Sequence, residues 1–368
     1  MAVSATVAVA GAGLTGLSAA WELSRAGATV VVLDAGRRPG GVVVTERPGA
    51  KEGFVIEGGP DGFLAAEPDI QELAREIGIG GRLVDQFASG SSLWTGQRLE
   101  PLAEGQAAAL LGIQVPPGVG AQHAAPVQCG FRSFATGMAD FVEAIVARVG
   151  PAIRPAQGVT GLAPATRGWR LSLSGGSTLE AEAVILALPA WIAARLVTAA
   201  GVPAARHLDE VIYYPTTTVS LAYREDQLAT PLAGTGFVSA PELAEGGAAL
   251  RACSYSWLKY PGRAPPGHAL LRAFVGPVDG DPAVAAHAEL VRILGISGSP
   301  LWSRAFTWPR GLPRYKPGHA GHVAAVRGRL ARLPPLAIAG AGFDGAGVSA
   351  CVKSGREAAR LVLGRVGA

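Results

Sequence analysis

A chain of 368 residues with 49% apolar and 16% charged side chains can bury a large core, and that composition excludes intrinsic disorder. Its net charge of +4 comes without a block of basic residues, which argues against a nucleic-acid footprint and suits small anionic molecules or an acidic membrane surface. Cys129, Cys253 and Cys351 lie far apart with no CxxC pair, so neither a zinc site nor a disulfide framework is expected, and a reducing, cytoplasmic setting is.

Residues 6–10 alternate small and β-branched types and read as a first strand. Gly11, Gly13 and Gly16 follow in GxGxxG spacing, residues 17–26 read as a helix, and Gly27 ends it. Residues 29–33 form a second β-branched run closing on Asp34, which completes a βαβ unit. The physics asks for these residues in these places. Gly11 permits the tight turn off the strand, Gly13 lets backbone approach a pyrophosphate, and Gly16 lets helix and sheet pack closely. The helix start, with Leu14 and Thr15, offers unpaired N–H groups to phosphate, and Asp34 stands where a carboxylate accepts ribose hydroxyls. No signal peptide is expected, because the chain runs straight into the strand pattern. The longest apolar stretch, 183–196, contains Pro189 and stops at Arg195, so it cannot span a bilayer.

Farther along, residues 70–77 suggest a short amphipathic helix, 103–130 an irregular segment, and 134–149 a further helix. A hairpin is expected from 169–173 and 179–188 around the Gly175-Gly176 turn. Residues 193–330 read as mixed and less regular. Residues 336–340 and a helix over 350–363 resume the strand-then-helix pattern, so the first domain is expected to be discontinuous.

Arg37 and Arg38 precede the pair Gly40-Gly41 just after the second strand. That arrangement resembles the FAD-dependent amine-oxidase superfamily, which includes protoporphyrinogen oxidases and phytoene desaturases. Other segments extend the resemblance toward the protoporphyrinogen oxidases: Gly53-Phe-Val-Ile-Glu-Gly-Gly-Pro-Asp-Gly-Phe-Leu64, Phe131-Arg132-Ser133 with Gly137, and Ala187-Leu188-Pro189. So do Trp308-Pro309 with Leu312-Pro313, Tyr315 and Gly318-His319, and the stretch from Ala339 to Val348 followed by Ser354-Gly355-Arg356. The resemblance implies an α/β fold, with a Rossmann-type FAD-binding domain over 1–85, 150–190 and 325–368. A mixed α+β substrate domain would take 86–149 and 191–324. It implies FAD held by Gly11, Gly13, Leu14, Thr15, Gly16, Asp34, Ala35, Arg38, Gly40 and Gly41. Gly58 and Gly59 would place backbone N–H groups near the isoalloxazine ring, with Pro60 beside them in the implied cofactor set. Val159, Ala187, Gly342, Asp344, Gly347 and Val348 complete the implied cofactor set, and Val238 and Phe274 are implied to line the substrate cavity.

The chemistry implied is hydride transfer from a reduced tetrapyrrole, protoporphyrinogen IX or coproporphyrinogen III, to FAD, with dioxygen as acceptor and no catalytic side chain or metal. The chain departs from the family between Arg98 and Phe131, where about a hundred residues of helical domain are replaced by roughly thirty. The arginine that relatives place before the first amphipathic helix is also absent from residues 64–73. A different small-molecule oxidase or desaturase, or a weakly catalytic FAD-binding partner of the haem pathway, therefore stays open. So does peripheral membrane contact. Of the histidines only His319 and His322 lie at ligand-like spacing, inside a family element and without a nearby carboxylate, which points to a structural role. Arg132 and Arg310 are candidates to meet substrate carboxylates.

Overall fold

The computed structural model describes residues 6–48, 53–103, 105–110 and 130–366. Five parallel strands lie in the order Ile153–Arg154, Thr29–Leu33, Thr6–Ala10, Ala183–Leu186, Leu336–Ile338. A parallel sheet must be covered on both faces. Val7, Val9, Val32 and Ile185 pack on one side against the helices Leu14–Arg25, Ala139–Val149 and Val348–Val366. Ala8, Leu33, Val184 and Leu186 pack on the other against Ala190–Ala199 and His319–Leu330.

Three elements differ from the sequence expectation. The first helix begins at Leu14 rather than residue 17, because Gly13 already supplies the carbonyl that accepts the Leu17 N–H at 2.9 Å. Residues 134–149 are not one helix. Phe131–Phe134 is a strand between Phe63–Leu64 and Leu83–Asp85, Gly137 turns the chain at φ +112°, and the helix starts at Ala139. That helix, grouped on sequence with the second unit, buries Phe141 and Ile145 in the same core as Leu17 and Leu23, since its apolar stripe faces the first helix. The expected strand 179–188 is two strands. Thr178–Ala181 pairs antiparallel with Trp169–Leu173, whereas Ala183–Leu186 joins the parallel sheet, and the Glu182 N–H between them donates to Thr6 O at 2.9 Å.

A second sheet of seven strands runs in the order Trp302–Arg314, Ile212–Arg224, His268–Val275, Leu250–Tyr255, Gly236–Ser239, Ser91–Trp94, Leu99–Leu102. Alternation sorts its side chains. Val219, Leu221, Leu271, Ala273 and Cys253 pack on one face against Ala286 and Leu290 of the helix Pro282–Leu294. The opposite face carries a cross-strand row set by the register, Phe306–Thr218–Phe274–Ala252–Val238. Among the described residues no helix is long and apolar enough to cross a membrane.

Candidate functional site

The glycine turn is built as its spacing requires. A Cβ on Gly11 would overlap the Ala187 carbonyl, and one on Gly16 would overlap the Gly11 carbonyl, so neither position admits a side chain. Gly13 is different, because nothing lies within 4 Å of where its Cβ would stand. It caps the first helix without any side-chain hydrogen bond, so the amides of Leu14, Thr15 and Gly16 open onto that space. Asp34 Oδ2 accepts from the Ala12 N–H at 2.5 Å and its Oδ1 from the Gly36 N–H at 2.7 Å, which locks the turn to the end of the second strand.

The double glycine closes against this turn. Gly40 N–H donates to Ala12 O at 2.7 Å, Gly40 bridges Gly13, and a Cβ on Gly41 would stand 3.3 Å from Gly13 Cα. Arg38 folds back on its own loop, donating to Val43 O at 3.0 Å and Gly41 O at 2.8 Å. Its role in the geometry is to shape the loop. Ala35 meets the strand that opens at Val159, since a Cβ on the neighbouring Gly158 would lie 2.9 Å from Ala35 Cβ. Ala187 hydrogen-bonds Ala10 O through its N–H at 2.8 Å.

The C-terminal loop arrives from the third side. A Cβ on Gly340 would lie 3.1 Å from Thr15 Oγ1, and one on Gly355 would overlap Thr15 O. Asp344 is held by Arg327 Nη2 at 2.7 Å and by the Ser354 hydroxyl at 2.5 Å, which fixes the loop through Gly342 toward Gly347 and the buried Val348. The three segments singled out on sequence thus meet at the start of the first helix, Gly40-Gly41 against Gly13 and the C-terminal segment against Thr15 through Gly340 and Gly355. Free amides, glycine-lined walls and a carboxylate at the strand end fit a dinucleotide such as FAD.

The segment Glu57–Pro60 links this space to the second sheet. Gly58 O accepts from Trp308 Nε1 at 2.8 Å and from Thr218 Oγ1 at 3.3 Å, and Gly58 lies on the Phe306 ring with no room for a Cβ. Gly59 O accepts from Arg272 Nη2. Val238 and Phe274 therefore stand on the sheet face that meets the Gly58–Gly59 turn. The Gly58 amide donates to Val44 O at 2.8 Å, which closes a two-strand pairing.

Beneath the turn lies a charge cluster that sequence reading missed. Glu57 and Arg263 are 5% and 1% exposed and lie 3.3 Å apart, with Glu57 also accepting from Thr45 Oγ1 at 2.7 Å and the Met138 N–H at 2.8 Å. Asp61 pairs with Lys259 Nζ at 3.0 Å and faces Arg272 Nη1 at 3.9 Å. Burial raises the Glu57 carboxyl above the usual carboxylate range, partly offset by Arg263. Burial also opposes ionisation of Asp61, but Lys259 and Arg272 outweigh it and hold its carboxyl at about 2, against 3.8 when free. A carboxylate lowered on folding stabilises above its unfolded value and loses that contribution as pH falls through the folded one. Wild-type protein should therefore exceed Asp61→Asn by about 2 kcal/mol in urea unfolding near neutral pH, with the gap closing between about pH 4 and 2. A gap that does not change with pH would contradict this pairing.

Arg132, a candidate for substrate carboxylates, is committed to Asp85 at 2.5 Å and Gln71 at 2.7 Å. Arg310 stacks its guanidinium over Trp191 at 4.2 Å. His319 stacks on Tyr315 and His322 on His207, and among the described residues no cluster of three His, Cys, Asp or Glu could hold a metal.

Two family profiles match the chain: flavin containing amine oxidoreductase over residues 80–363, and NAD(P)-binding Rossmann-like domain over 9–77. The chain is 23% identical to coproporphyrinogen III oxidase of Bacillus subtilis over 464 positions, covering 96% of each protein. It is 29% identical to protoporphyrinogen oxidase of Bos taurus over 231 positions, covering 58% of this chain and 47% of that one. The solved structure of a putative protoporphyrinogen oxidase from Exiguobacterium sp. 255-15 shares the fold, with a TM-score of 0.79 at 24% identity over 97% of this chain and 98% of that one. The Bacillus alignment needs 464 positions where this chain has 368 residues, so part of that relative has no counterpart here.

Proposed function

The chain belongs to the flavin-containing amine oxidoreductase family, and from that premise we propose that it is an FAD-dependent porphyrinogen oxidase, with dioxygen as the final acceptor. Coproporphyrinogen III is the preferred substrate in this reading, because the relative aligned along 96% of both proteins carries that name. When bound, FAD supplies the hydride acceptor, and the chain supplies binding, orientation and exclusion of water.

The observation that carries the proposal is the meeting of two surfaces. The Gly13 space, with Gly40-Gly41 against Gly13 and the C-terminal segment against Thr15, would take the dinucleotide through the amides of Leu14, Thr15 and Gly16. The face bearing Phe274 and Val238 would meet the apolar pyrrole rings of the substrate, and Trp308, Thr218 and Arg272 fix the Gly58–Gly59 turn at the boundary. The relatives' additional sequence favours a second reading, an oxidase or desaturase for a smaller or more exposed substrate.

Anaerobic mixing of the yellow protein with reduced coproporphyrinogen III or protoporphyrinogen IX separates the two. Loss of flavin absorbance is the expected result, with porphyrin fluorescence rising by no more than one porphyrin per three flavins reduced, since the conversion gives up six electrons and each FAD takes two. Bleaching by other donors alone selects the second reading, and a protein that stays yellow with every donor refutes both.

A further inference from the structure

Among the described residues the charges around the Gly58–Gly59 turn do not balance: Lys259, Arg263 and Arg272 face only Glu57 and Asp61. Arg272 is 4% exposed and its Nε is buried without a hydrogen-bond partner. A surplus charge out of water is costly unless another charge answers it. The cluster is also rigid. Arg272 is pinned by Gly59 O and lies over the Phe274 ring at 5.0 Å, while Arg263 is held by Ser133 Oγ at 2.7 Å.

We infer that this cluster is a fixed positive field whose counter-charge is the negative charge gained by FAD on reduction, and that Arg272 is the positioning residue that carries the field to the Gly58–Gly59 turn. The inference rests on the reading above, in which that turn lies against the flavin ring. Two electrons and one proton taken up by the flavin leave it with one negative charge, and no protein group changes oxidation state. Charges that are already oriented act on such a change without reorganising. A guanidinium suits the place because it stays protonated when buried. The same side chain anchors the turn and carries the charge, so geometry and potential are set together.

The test is the midpoint potential of FAD in the purified holoprotein. Arg272→Met is expected to disfavour reduction by on the order of tenfold, which for a two-electron couple is about 30 mV lower. Asp61→Asn should shift it by a similar amount the other way. If Arg272→Met does not retain FAD, Lys259→Gln takes its place with the same downward direction. Opposite shifts of this kind do not follow from a structural role alone. Potentials that coincide across yellow variants, or that all move one way, overturn the inference and leave the FAD reading standing. A wild-type protein that refuses FAD removes the reading beneath it.

Discussion

Gly13→Val is expected to give a folded, colourless protein. The backbone there is extended, at φ −75° and ψ −175°, and no atom lies within 4 Å of the new Cβ. The fold should lose no more than about 1 kcal/mol, the cost of a poor residue at a helix N-cap. The added methyls instead fill the space in front of the Leu14, Thr15 and Gly16 amides, where a pyrophosphate must come close to backbone. FAD affinity should fall by about a hundredfold or more, roughly 3 kcal/mol. The measurement is flavin-to-protein absorbance after gel filtration, alongside urea unfolding of the apoprotein. Gly16→Ala provides the contrast. Its Cβ would overlap the Gly11 carbonyl, which is backbone and cannot rotate away, so stability and FAD should be lost together. A Gly13→Val protein that binds FAD normally would remove this turn from the site.

Glu57→Ala should be the most damaging single change to the fold. It leaves Arg263, 1% exposed, without its carboxylate, and takes the acceptor from the Met138 amide and the Thr45 hydroxyl. Removing one partner of a buried pair costs about 3–5 kcal/mol, whereas replacing both with apolar groups is far milder. Glu57→Leu combined with Arg263→Met should accordingly recover most of the stability lost by Glu57→Ala. Urea unfolding of the single and double variants forms a cycle. Additive losses would mean that the two residues are energetically independent and that the pairing has been misread.

The local physics of the Rossmann unit was legible in the sequence, because its requirements lie within a few residues of one another. Gly11, Gly13, Gly16 and Asp34 each answer to a neighbour in the same βαβ unit. Longer motifs carried the convergence of Gly40-Gly41 and the Asp344 loop. What stayed hidden depends on long-range register. Arg272 meets Gly59 across the chain only because the strand His268–Val275 sits between Ile212–Arg224 and Leu250–Tyr255. On sequence that strand fell inside 193–330, which read only as mixed and less regular. Asp61 was visible inside a quoted motif, but its partner Lys259 sits in a short helix, Ser256–Lys259, that no periodicity announces. The stretch 179–188 was read as one strand because its composition does not change where its pairing does, at Glu182.

The parallel sheet is finished by a strand encoded late, Leu336–Ile338, and Gly355 seats the last helix on Thr15. On the ribosome, the early glycine turn emerges long before these pieces exist. Its nucleotide cradle must wait half-built until residues 336–355 have been synthesised, so cofactor loading follows that segment rather than the glycine turn.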